Sequence, residues 1–420
     1  MKALISKSRV KGKVVAPSSK SYTIRGLVCA ALAHGQSEII NPLSSDDTEA
    51  ALDVLDKIGI SVRQQEQAWP VNGGNFRQPS SDLFCRESAA TLRFMTAIAS
   101  LVPGQCRLTM TPSLARRPIE PLLQALRQLK VDCHFENGQS AIIVQGGKLQ
   151  GGLTALPGNI SSQFVTALLL ISPFAENEMQ IRLTTPLESQ PYVLMTLECL
   201  QQFGVSVAYS ENLREFETVK QAYEPTKYLV EGDWSSASYL LALGALAGEV
   251  EVTNLNPRSL QGDKILLDFL DEMGASVTKH ESSIVVKKAN LKAIKANLSD
   301  CIDLLPTMAV MAAVAEGTSE FTGVARARLK ESDRISAIVE GLARMGVTTC
   351  EEKDKLTVTG ASPRGAVIDS KGDHRIAMAF SLLGLSTGQT TIMGAECVTK
   401  TYPEFWDVLQ SIGGEVKLDE

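Results

Sequence analysis

A pattern that recurs six times along the chain constrains its fold more than any other feature. In each copy an amphipathic helix stops and a short β-branched strand follows. The stop positions are Gly59, Lys130, Gly204, Gly274, Gly346 and Gly413, at intervals of 71, 74, 70, 72 and 67 residues. Glycine is the usual left-handed stop of a helix. The spacing therefore predicts six similar units of about seventy residues each.

A second pattern alternates with the first. It consists of a polar start, a nearly all-apolar helix and then a short strand, and its copies end at Gly35, Gly104, Glu176, Gly248, Gly317 and Gly388. A helix that is apolar on all sides is buried, whereas a helix of the first kind has one apolar face. Each unit is therefore predicted to run strand, buried helix, strand, surface helix, strand, strand, which is an α/β (α+β) arrangement.

The repeats also predict how the chain divides into domains. A chain of 420 residues suggests two or three domains. Six units divide evenly into two domains of three, with a seam near residues 223–227. The first dozen residues precede the first helix start, so we expect them to join the other half. The predicted domains are 13–228 and 1–12 plus 229–420.

Composition excludes several classes of function. The net charge of −6 leaves no basic surplus for a nucleic acid partner. Eight scattered cysteines without a CxxC pair, and four separated histidines, predict reduced thiols in a cytoplasmic protein and no metal site. No apolar run of about eighteen residues is present, so we expect no membrane contact. Neither a Walker motif nor GxGxxG signals a nucleotide.

The start of the first buried helix, residues 17–25, carries chemistry. Ser19 or Ser21 is a good N-cap. Lys20 and Arg25 are unusual in a first turn, because the positive end of the helix dipole favours acids. Together with free backbone N–H groups they would form a phosphate or carboxylate site. The alternative is a surface helix start with two solvated cations.

The other buried helix starts and three loops repeat this polar character. The starts are residues 86–93, Ser161 with Ser162 and Gln163, Asp303, and Asp373 with His374 and Arg375, whereas residues 234–238 are polar but uncharged. The loops are residues 114–118, with Pro118 expected at the first position of a surface helix, residues 326–334, with four cations and two acids, and Lys400 with Thr401. Taken singly, the loops could be a solvated charged face or a turn. Together the starts and loops indicate an enzyme whose substrates carry phosphates and carboxylates.

These motifs, taken in order over the whole chain, resemble the family of 3-phosphoshikimate 1-carboxyvinyltransferases (5-enolpyruvylshikimate-3-phosphate synthases), which are enolpyruvyl transferases. The matching residues are Lys20, Ser21, Arg25, Arg93, Arg117, Pro118, Ser161, Ser162, Gln163, Ser189, Tyr192, residues 229–237, Asp303, Lys330, Glu331, Asp333, Arg334, Asp373, His374, Arg375, Lys400 and Thr401. The resemblance implies a two-domain inside-out barrel, with three βαβαββ units about a pseudo-threefold axis in each domain and an active site in the inter-domain cleft.

The resemblance also implies a reaction and its residues. The enolpyruvyl group of phosphoenolpyruvate would be transferred to the 5-hydroxyl of shikimate 3-phosphate through a tetrahedral intermediate, with no cofactor and no metal. We also expect the protein to be a monomer. Asp303 would be the base, and Glu331 with Lys330 the acid. Shikimate 3-phosphate would contact Lys20, Ser21, Arg25, Ser161, Ser162, Gln163, Ser189, Asp303 and Lys330. Phosphoenolpyruvate would contact Lys20, Ala89, Arg117, Gln163, Arg334, Arg375 and Lys400.

Several positions depart from the family pattern. Glu87 stands where asparagine is usual, and Ala89 stands where glycine is usual. The extra methyl group of Ala89 leads us to expect weak binding of the inhibitor glyphosate. Arg326 occupies a position that is usually asparagine, and Gln190 occupies one that is often lysine. The contacts to the phosphate and to the shikimate ring are therefore expected to differ in part from the family pattern.

Two alternatives stay open from the sequence. The sister UDP-N-acetylglucosamine 1-carboxyvinyltransferases share the fold, but their loop carries a reactive cysteine where this chain has Pro112. The second alternative is a non-catalytic repeat scaffold that only binds acidic metabolites. It would require Asp303 and Glu331 to be ordinary surface acids.

Overall fold

The computed structural model describes residues 1–136, 141–281 and 283–419. The chain forms two compact units, which we call unit A (Met1–Pro17 with Gly232–Glu420) and unit B (Ser18–Glu231). The predicted boundary after residue 12 falls inside the strand Val10–Val15, whose residues all pair with Gly248–Thr253 of unit A. The predicted boundary after residue 228 falls inside the strand Lys227–Leu229, which pairs within unit B.

Helices of two kinds alternate along the chain, as predicted. In chain order the helices are α1 (Lys20–Leu32), α2 (Asp46–Lys57), α3 (Ala89–Ile98), α4 (Pro112–Ala115), α5 (Glu120–Gln128), α6 (Ser162–Ile171), α7 (Gln190–Gln202), α8 (Trp234–Ala247), α9 (Leu266–Glu272), α10 (Leu305–Ala312), α11 (Arg334–Arg344), α12 (His374–Thr387) and α13 (Phe405–Ser411). Short 3₁₀ turns span Ser172–Phe174, Gly262–Ile265, Ile302–Leu304, Ala325–Leu329 and Ala395–Lys400.

The strands are short. They are β1 (Lys2–Ile5), β2 (Val10–Val15), β3 (Gly35–Ile40), β4 (Ser61–Val62), β5 (Ala68–Gly73), β6 (Leu83–Phe84), β7 (Gly104–Thr109), β8 (Asp132–Phe135), β9 (Ala141–Gly146), β10 (Gly152–Leu156), β11 (Met179–Leu183), β12 (Ala208–Tyr209), β13 (Glu215–Thr218), β14 (Lys227–Leu229), β15 (Gly248–Thr253), β16 (Ser276–Lys279), β17 (Ser283–Lys287), β18 (Lys295–Asn297), β19 (Thr318–Thr322), β20 (Thr348–Glu351), β21 (Lys355–Thr359), β22 (Val367–Asp369), β23 (Thr390–Met393) and β24 (Val416–Asp419).

The described residues form six four-stranded sheets of one design. A typical sheet has the order β18-β19-β21-β20, in which β18 and β19 are parallel and the other pairs are antiparallel. The parallel pair needs a crossover, which a buried helix supplies. Two sheets take their first strand from a distant part of the chain, because β2 pairs with β15 in unit A and β14 pairs with β3 in unit B. The N-terminal strand β1 completes a third sheet between β23 and β24.

Each unit has its own apolar core around three buried helices. Helices α8, α10 and α12 pack together in unit A, and α1, α3 and α6 pack together in unit B. Every residue of α8 is buried. The surface helices bury one face instead, as in α5, where Leu122, Leu123, Ala125 and Leu126 are buried. This confirms the predicted alternation of buried and surface helices.

Polar residues begin five of the six buried helices. The side chains of Ser19, Ser88, Ser161, Asp233 and Asp373 each accept a hydrogen bond from a backbone N–H of the first turn. The sixth buried helix, α10, starts differently, because Asp303 lies in the 3₁₀ turn Ile302–Leu304 that leads into it. The expectation for Pro118 was wrong, since helix α5 begins two residues later at Glu120 and has Pro121 in its first turn.

Glycine residues let strands approach the ends of the buried helices. Gly146, at the end of β9, lies where a Cβ atom would overlap the carbonyl oxygens of Ala99 and Val102 after helix α3. Gly73 and Gly360 meet the helix-end carbonyl oxygens of Ala30 and Ala315 in the same way. A side chain at these positions would therefore push a strand away from its helix.

We expect Gly146→Ala to destabilise the protein by about 2–3 kcal/mol, because the clash is with backbone and cannot relax through a rotamer change. Gly372→Ala is the control, because Gly372 has a φ of +69° and nothing within 4 Å of the added Cβ. It should cost only about 1–2 kcal/mol of left-handed strain. Urea denaturation of both variants measures the difference, and equal shifts would contradict the steric argument.

Candidate active site

Arg334 is the centre of a buried charge network in unit A. It is the first residue of α11, and 1 % of its side chain is exposed. Its Nη1 donates to Asp303 Oδ1 at 2.7 Å, its Nη2 to Glu331 Oε2 at 2.5 Å and its Nε to Asp373 Oδ2 at 2.8 Å. Ser332 Oγ also donates to Asp373 Oδ2, at 3.0 Å. One guanidinium therefore holds three carboxylates from three segments of the chain.

Two more cations share Asp303. Arg375 Nη2 donates to Asp303 Oδ2 at 3.1 Å, and Lys330 Nζ lies 3.2 Å from Asp303 Oδ1. Arg375 is the second residue of α12, and its Nη1 donates to Tyr239 OH at 3.4 Å. Lys400 is buried near Glu331, with 3.8 Å between Nζ and Oε1. The structure thus brings together all the predicted site residues that lie in unit A.

This network shifts the pKa values of its members. Burial alone would raise the pKa of Asp303, but the positive charges of Arg375, Lys330 and Arg334 hold it well below its usual range. Burial lowers the pKa of Lys330 to about 8 against the opposing negative charge of Asp303, and the nearby charges of Arg334 and Arg326 act in the same direction as burial. Asp303 is therefore ionised at neutral pH, and Lys330 can lose its proton within about one unit of neutrality.

In unit B, the first predicted cation is paired with an acid. Lys20 opens α1, and its Nζ lies 2.8 Å from Oδ2 of Asp47, a buried residue in the first turn of α2. Ser21 follows Lys20 on the same helix. Nothing in the sequence singled out Asp47, because acids are ordinary in a first turn. Only the fold shows that this acid meets a lysine 27 positions earlier.

Arg25 connects two helices of unit B. Its Nε donates to Thr196 Oγ1 at 2.9 Å and its Nη2 to the carbonyl oxygen of Tyr192 at 3.1 Å, while Nη1 reaches the carbonyl oxygen of Ser21. Its guanidinium also lies near the aromatic rings of Phe94 and Tyr192. Burial lowers the pKa of this guanidinium. Arg25 therefore fixes α1 against α7, in addition to any contact with a ligand.

A second buried arginine organises the start of α6. Arg93 Nη1 donates to Gln163 Oε1 at 2.6 Å and to Ser161 Oγ at 3.2 Å, and Nη2 donates to the carbonyl oxygen of Pro118 at 2.9 Å. Ser162, the first residue of α6, is buried beside them. Arg93 thus orients two predicted ligand side chains and the loop that carries Arg117.

The remaining predicted residues lie at helix ends and turns of unit B. Ser189 caps α7 and has a φ of 55°, a left-handed conformation that is uncommon for a residue with a side chain. Ala89 is the first residue of α3 and is buried. Glu87 precedes it, and its carboxylate accepts hydrogen bonds from Thr111 and Ser113. Arg117 is half-buried in the turn between α4 and α5.

Among residues 1–136, 141–281 and 283–419, no three His, Cys, Asp or Glu side chains are grouped so that they could hold a metal ion. In the same part of the chain, no helix has the length and apolar character needed to cross a membrane.

Comparison with known proteins assigns the family. The model of the family EPSP synthase (3-phosphoshikimate 1-carboxyvinyltransferase) matches residues 5–409. A 3-phosphoshikimate 1-carboxyvinyltransferase of Dehalococcoides mccartyi is 49 % identical over 421 residues, covering 100 % of both chains. One of Methanosarcina acetivorans is 42 % identical and covers 99 % of each chain.

Solved structures show the same architecture. An EPSP synthase of Acinetobacter baumannii superposes with a TM-score of 0.84 at 27 % identity, and the match covers 100 % of both chains. The enolpyruvyl transferase NikO of Streptomyces tendae has a TM-score of 0.82 at 16 % identity, with 99 % and 98 % coverage, which shows likeness of fold alone.

The class that these findings define is a carboxyvinyl transferase with a two-domain α/β fold. More narrowly, the chain belongs to the EPSP synthase (3-phosphoshikimate 1-carboxyvinyltransferase) family. The predicted family, fold class and transferase activity are confirmed. The roles of individual side chains stay predictions.

We expect Arg334→Met to destabilise the protein by about 3–5 kcal/mol, because it leaves three carboxylates that are wholly or mostly buried without their shared cation. Arg344→Met, at the other end of α11, is the matched control. Arg344 pairs with Glu340 on the surface, and its loss should cost less than about 1 kcal/mol. Chemical denaturation at pH 7 compares the two variants. Equal effects would contradict the role given to Arg334.

Proposed function

We propose that the residues described above carry out the reaction of the family. The enolpyruvyl group of phosphoenolpyruvate is transferred to the 5-hydroxyl of shikimate 3-phosphate, which gives 5-enolpyruvylshikimate 3-phosphate and phosphate in the shikimate pathway. The observation that carries this proposal is the network in which Arg334 binds Asp303 and Glu331 on two of its nitrogen atoms. A base and an acid are thereby held at fixed positions beside several cations.

Anionic substrates are well matched to this set of side chains. Shikimate 3-phosphate is assigned to Lys20, Ser21, Arg25, Ser161, Ser162, Gln163, Ser189, Asp303 and Lys330. Phosphoenolpyruvate is assigned to Lys20, Ala89, Arg117, Gln163, Arg334, Arg375 and Lys400. Each charge-assisted hydrogen bond contributes about 1.5–3 kcal/mol. Several of them on one small ligand suffice for micromolar binding after ordering costs.

Substrate binding itself would prepare the base. Without substrate, Arg375, Lys330 and Arg334 stabilise the charge of Asp303 and make it a weak base. The carboxylate and phosphate groups of phosphoenolpyruvate would compete for these cations, which raises the proton affinity of Asp303. Asp303 would then take the proton of the 5-hydroxyl as its oxygen attacks C2 of phosphoenolpyruvate.

The acid side would be Glu331 with Lys330. A proton from this side adds to the C3 methylene carbon as the new C–O bond forms, so that a tetrahedral intermediate with a methyl group results. Removal of a methyl proton and breakage of the C2–O bond to phosphate then restore the double bond. The pKa of Lys330, lowered to about 8 chiefly by burial, supports a donor near neutral pH.

Separate observations argue against the binding scaffold and against the sister transferase. A binding scaffold would have Asp303 and Glu331 as surface acids, whereas only 14 % and 12 % of these side chains are exposed. The sister transferases have a reactive cysteine at the position where this chain has Pro112, the first residue of α4.

The proposal includes a monomer in the cytoplasm, and the scattered cysteines of the sequence support that location.

Phosphate release tests the function. The enzyme should release phosphate from phosphoenolpyruvate with shikimate 3-phosphate, and not with UDP-N-acetylglucosamine. Asp303→Asn should lower kcat at least about 100-fold, because the general base is lost, while shikimate 3-phosphate still binds. Asp300→Asn, three residues earlier and only half-buried, is the control and should change kcat less than about twofold. Full activity of Asp303→Asn would contradict the assignment.

Glyphosate inhibition tests the role of Ala89. We expect weak inhibition of the wild-type enzyme, because the Ala89 methyl group crowds the site assigned to phosphoenolpyruvate. Ala89→Gly should tighten glyphosate binding by about tenfold or more, which is about 1.4 kcal/mol. Ala90→Gly, the next residue of α3, is the matched control. A low-micromolar inhibition constant for the wild type, competitive with phosphoenolpyruvate, would refute this expectation.

A further inference from the structure

Asp263 is a buried acid close to the Arg334 network that has no role in the scheme above. It lies in the 3₁₀ turn Gly262–Ile265, and only 2 % of its surface is exposed to solvent. Its Oδ2 accepts a hydrogen bond from Ser235 Oγ. Its Oδ1 is buried and has no hydrogen-bond partner. The Asp263 carboxyl group thus accepts one hydrogen bond, whereas a buried ionised carboxylate needs several to replace its lost hydration.

The turn that carries Asp263 is fixed to the start of α8. Gln261 Nε2 donates to the carbonyl oxygen of Gly232 at 2.8 Å, and the backbone N–H of Trp234 donates to Gln261 Oε1 at 3.0 Å. Ser235 lies one helical turn before Tyr239, which accepts a hydrogen bond from Arg375. The same face of α8 thus contacts Asp263 through Ser235 and Arg375 through Tyr239.

The charged groups around Asp263 favour its neutral form on balance. Asp303 and Asp233 repel a negative charge there, and Arg375 attracts one. Burial adds the largest effect, and together these raise the pKa of Asp263 to about 7. The Cys301 thiol is also close, and burial together with the nearby acids raises its pKa. An ionised carboxylate without an ion pair in such a place would cost several kcal/mol.

We propose that Asp263 is a positioning residue of the carboxyvinyl-transfer site, which is neutral when phosphoenolpyruvate binds and weakens that binding when it ionises. This inference rests on the proposed role of the Arg375–Asp303 pair in binding the substrate. Ionised Asp263 adds a second negative charge beside Arg375, and this charge competes with the substrate anion.

The charge balance of the network shows why the proton matters. Lys330, Arg334, Arg375 and Lys400 supply four positive charges, and Asp303, Glu331 and Asp373 supply three negative ones. With Asp263 neutral, the network has one net positive charge for an anionic substrate. With Asp263 ionised, that surplus disappears.

The pH dependence of the isosteric variant Asp263→Asn tests the proposal. The ratio of kcat/KM for phosphoenolpyruvate, variant over wild type, should rise by about fivefold to tenfold from pH 6 to pH 8, since the protonated fraction of Asp263 falls from about 0.9 to about 0.1. The change should appear in KM more than in kcat. Because the ratio cancels titrations common to both enzymes, Lys330 and the substrate phosphate do not contribute.

Two further variants keep the test decisive. Asp268→Asn, an exposed acid on α9, should give a flat ratio. Ser235→Ala removes the donor that stabilises ionised Asp263, which raises the pKa of Asp263. The decline of kcat/KM with rising pH should therefore occur at higher pH in this variant than in the wild type. This shift decides the question if Asp263→Asn does not fold. A flat ratio for Asp263→Asn, or an unmoved profile for Ser235→Ala, would overturn the proposal. Absence of phosphate release by the wild type at pH 6 would instead contradict the proposed function.

Discussion

The candidate active site of unit A depends on the guanidinium of Arg334. A buried arginine is costly unless its donors are satisfied, and here three carboxylates from the turn before α10, the turn before α11 and the cap of α12 satisfy them. A buried ion network of this kind adds little net stability compared with apolar packing. Its main effect is geometric, because one planar group sets the positions of Asp303 and Glu331 relative to each other.

Unit B uses buried arginines for a related purpose. Arg25 fixes α1 to α7, and Arg93 orients Ser161 and Gln163 at the start of α6. In both units, therefore, cations that appear in the sequence as ligand-binding candidates also hold the protein together. A variant at Arg25 or Arg93 would change structure and binding at once, which makes the exposed control variants necessary for interpretation.

The parts of the fold that sequence predicts well are local. The polar caps Ser19, Ser161 and Asp373 stand a few residues before mostly apolar helices, so each helix start follows from its own neighbours. Strand pairing between distant segments has no such signal, and Tyr228 of β14 pairs with Ile39 of β3, 189 residues earlier. For this reason the predicted domain boundaries fell inside β2 and β14.

The candidate site divides in the same way. The residues came from the resemblance and from unusual charges at helix starts, which are readable in one sequence. The pairing of Lys20 with Asp47 and the burial of Asp263 depend on tertiary contacts, so neither could be found from spacing. The raised pKa of Asp263 likewise follows from burial beside Asp303, which only the folded chain creates.

Incorporation of solvent deuterium most directly tests the claim that the Arg334 network supplies both acid and base. In deuterated water, the wild-type enzyme should place deuterium on the enolpyruvyl methylene group of its product, as mass spectrometry would show, because a solvent-exchangeable proton adds to C3. Glu331→Gln should still bind shikimate 3-phosphate, but the rate at which deuterium enters the product should fall at least about 100-fold. Two results would contradict the account: product without deuterium from the wild type, or deuterium incorporation by Glu331→Gln at the wild-type rate.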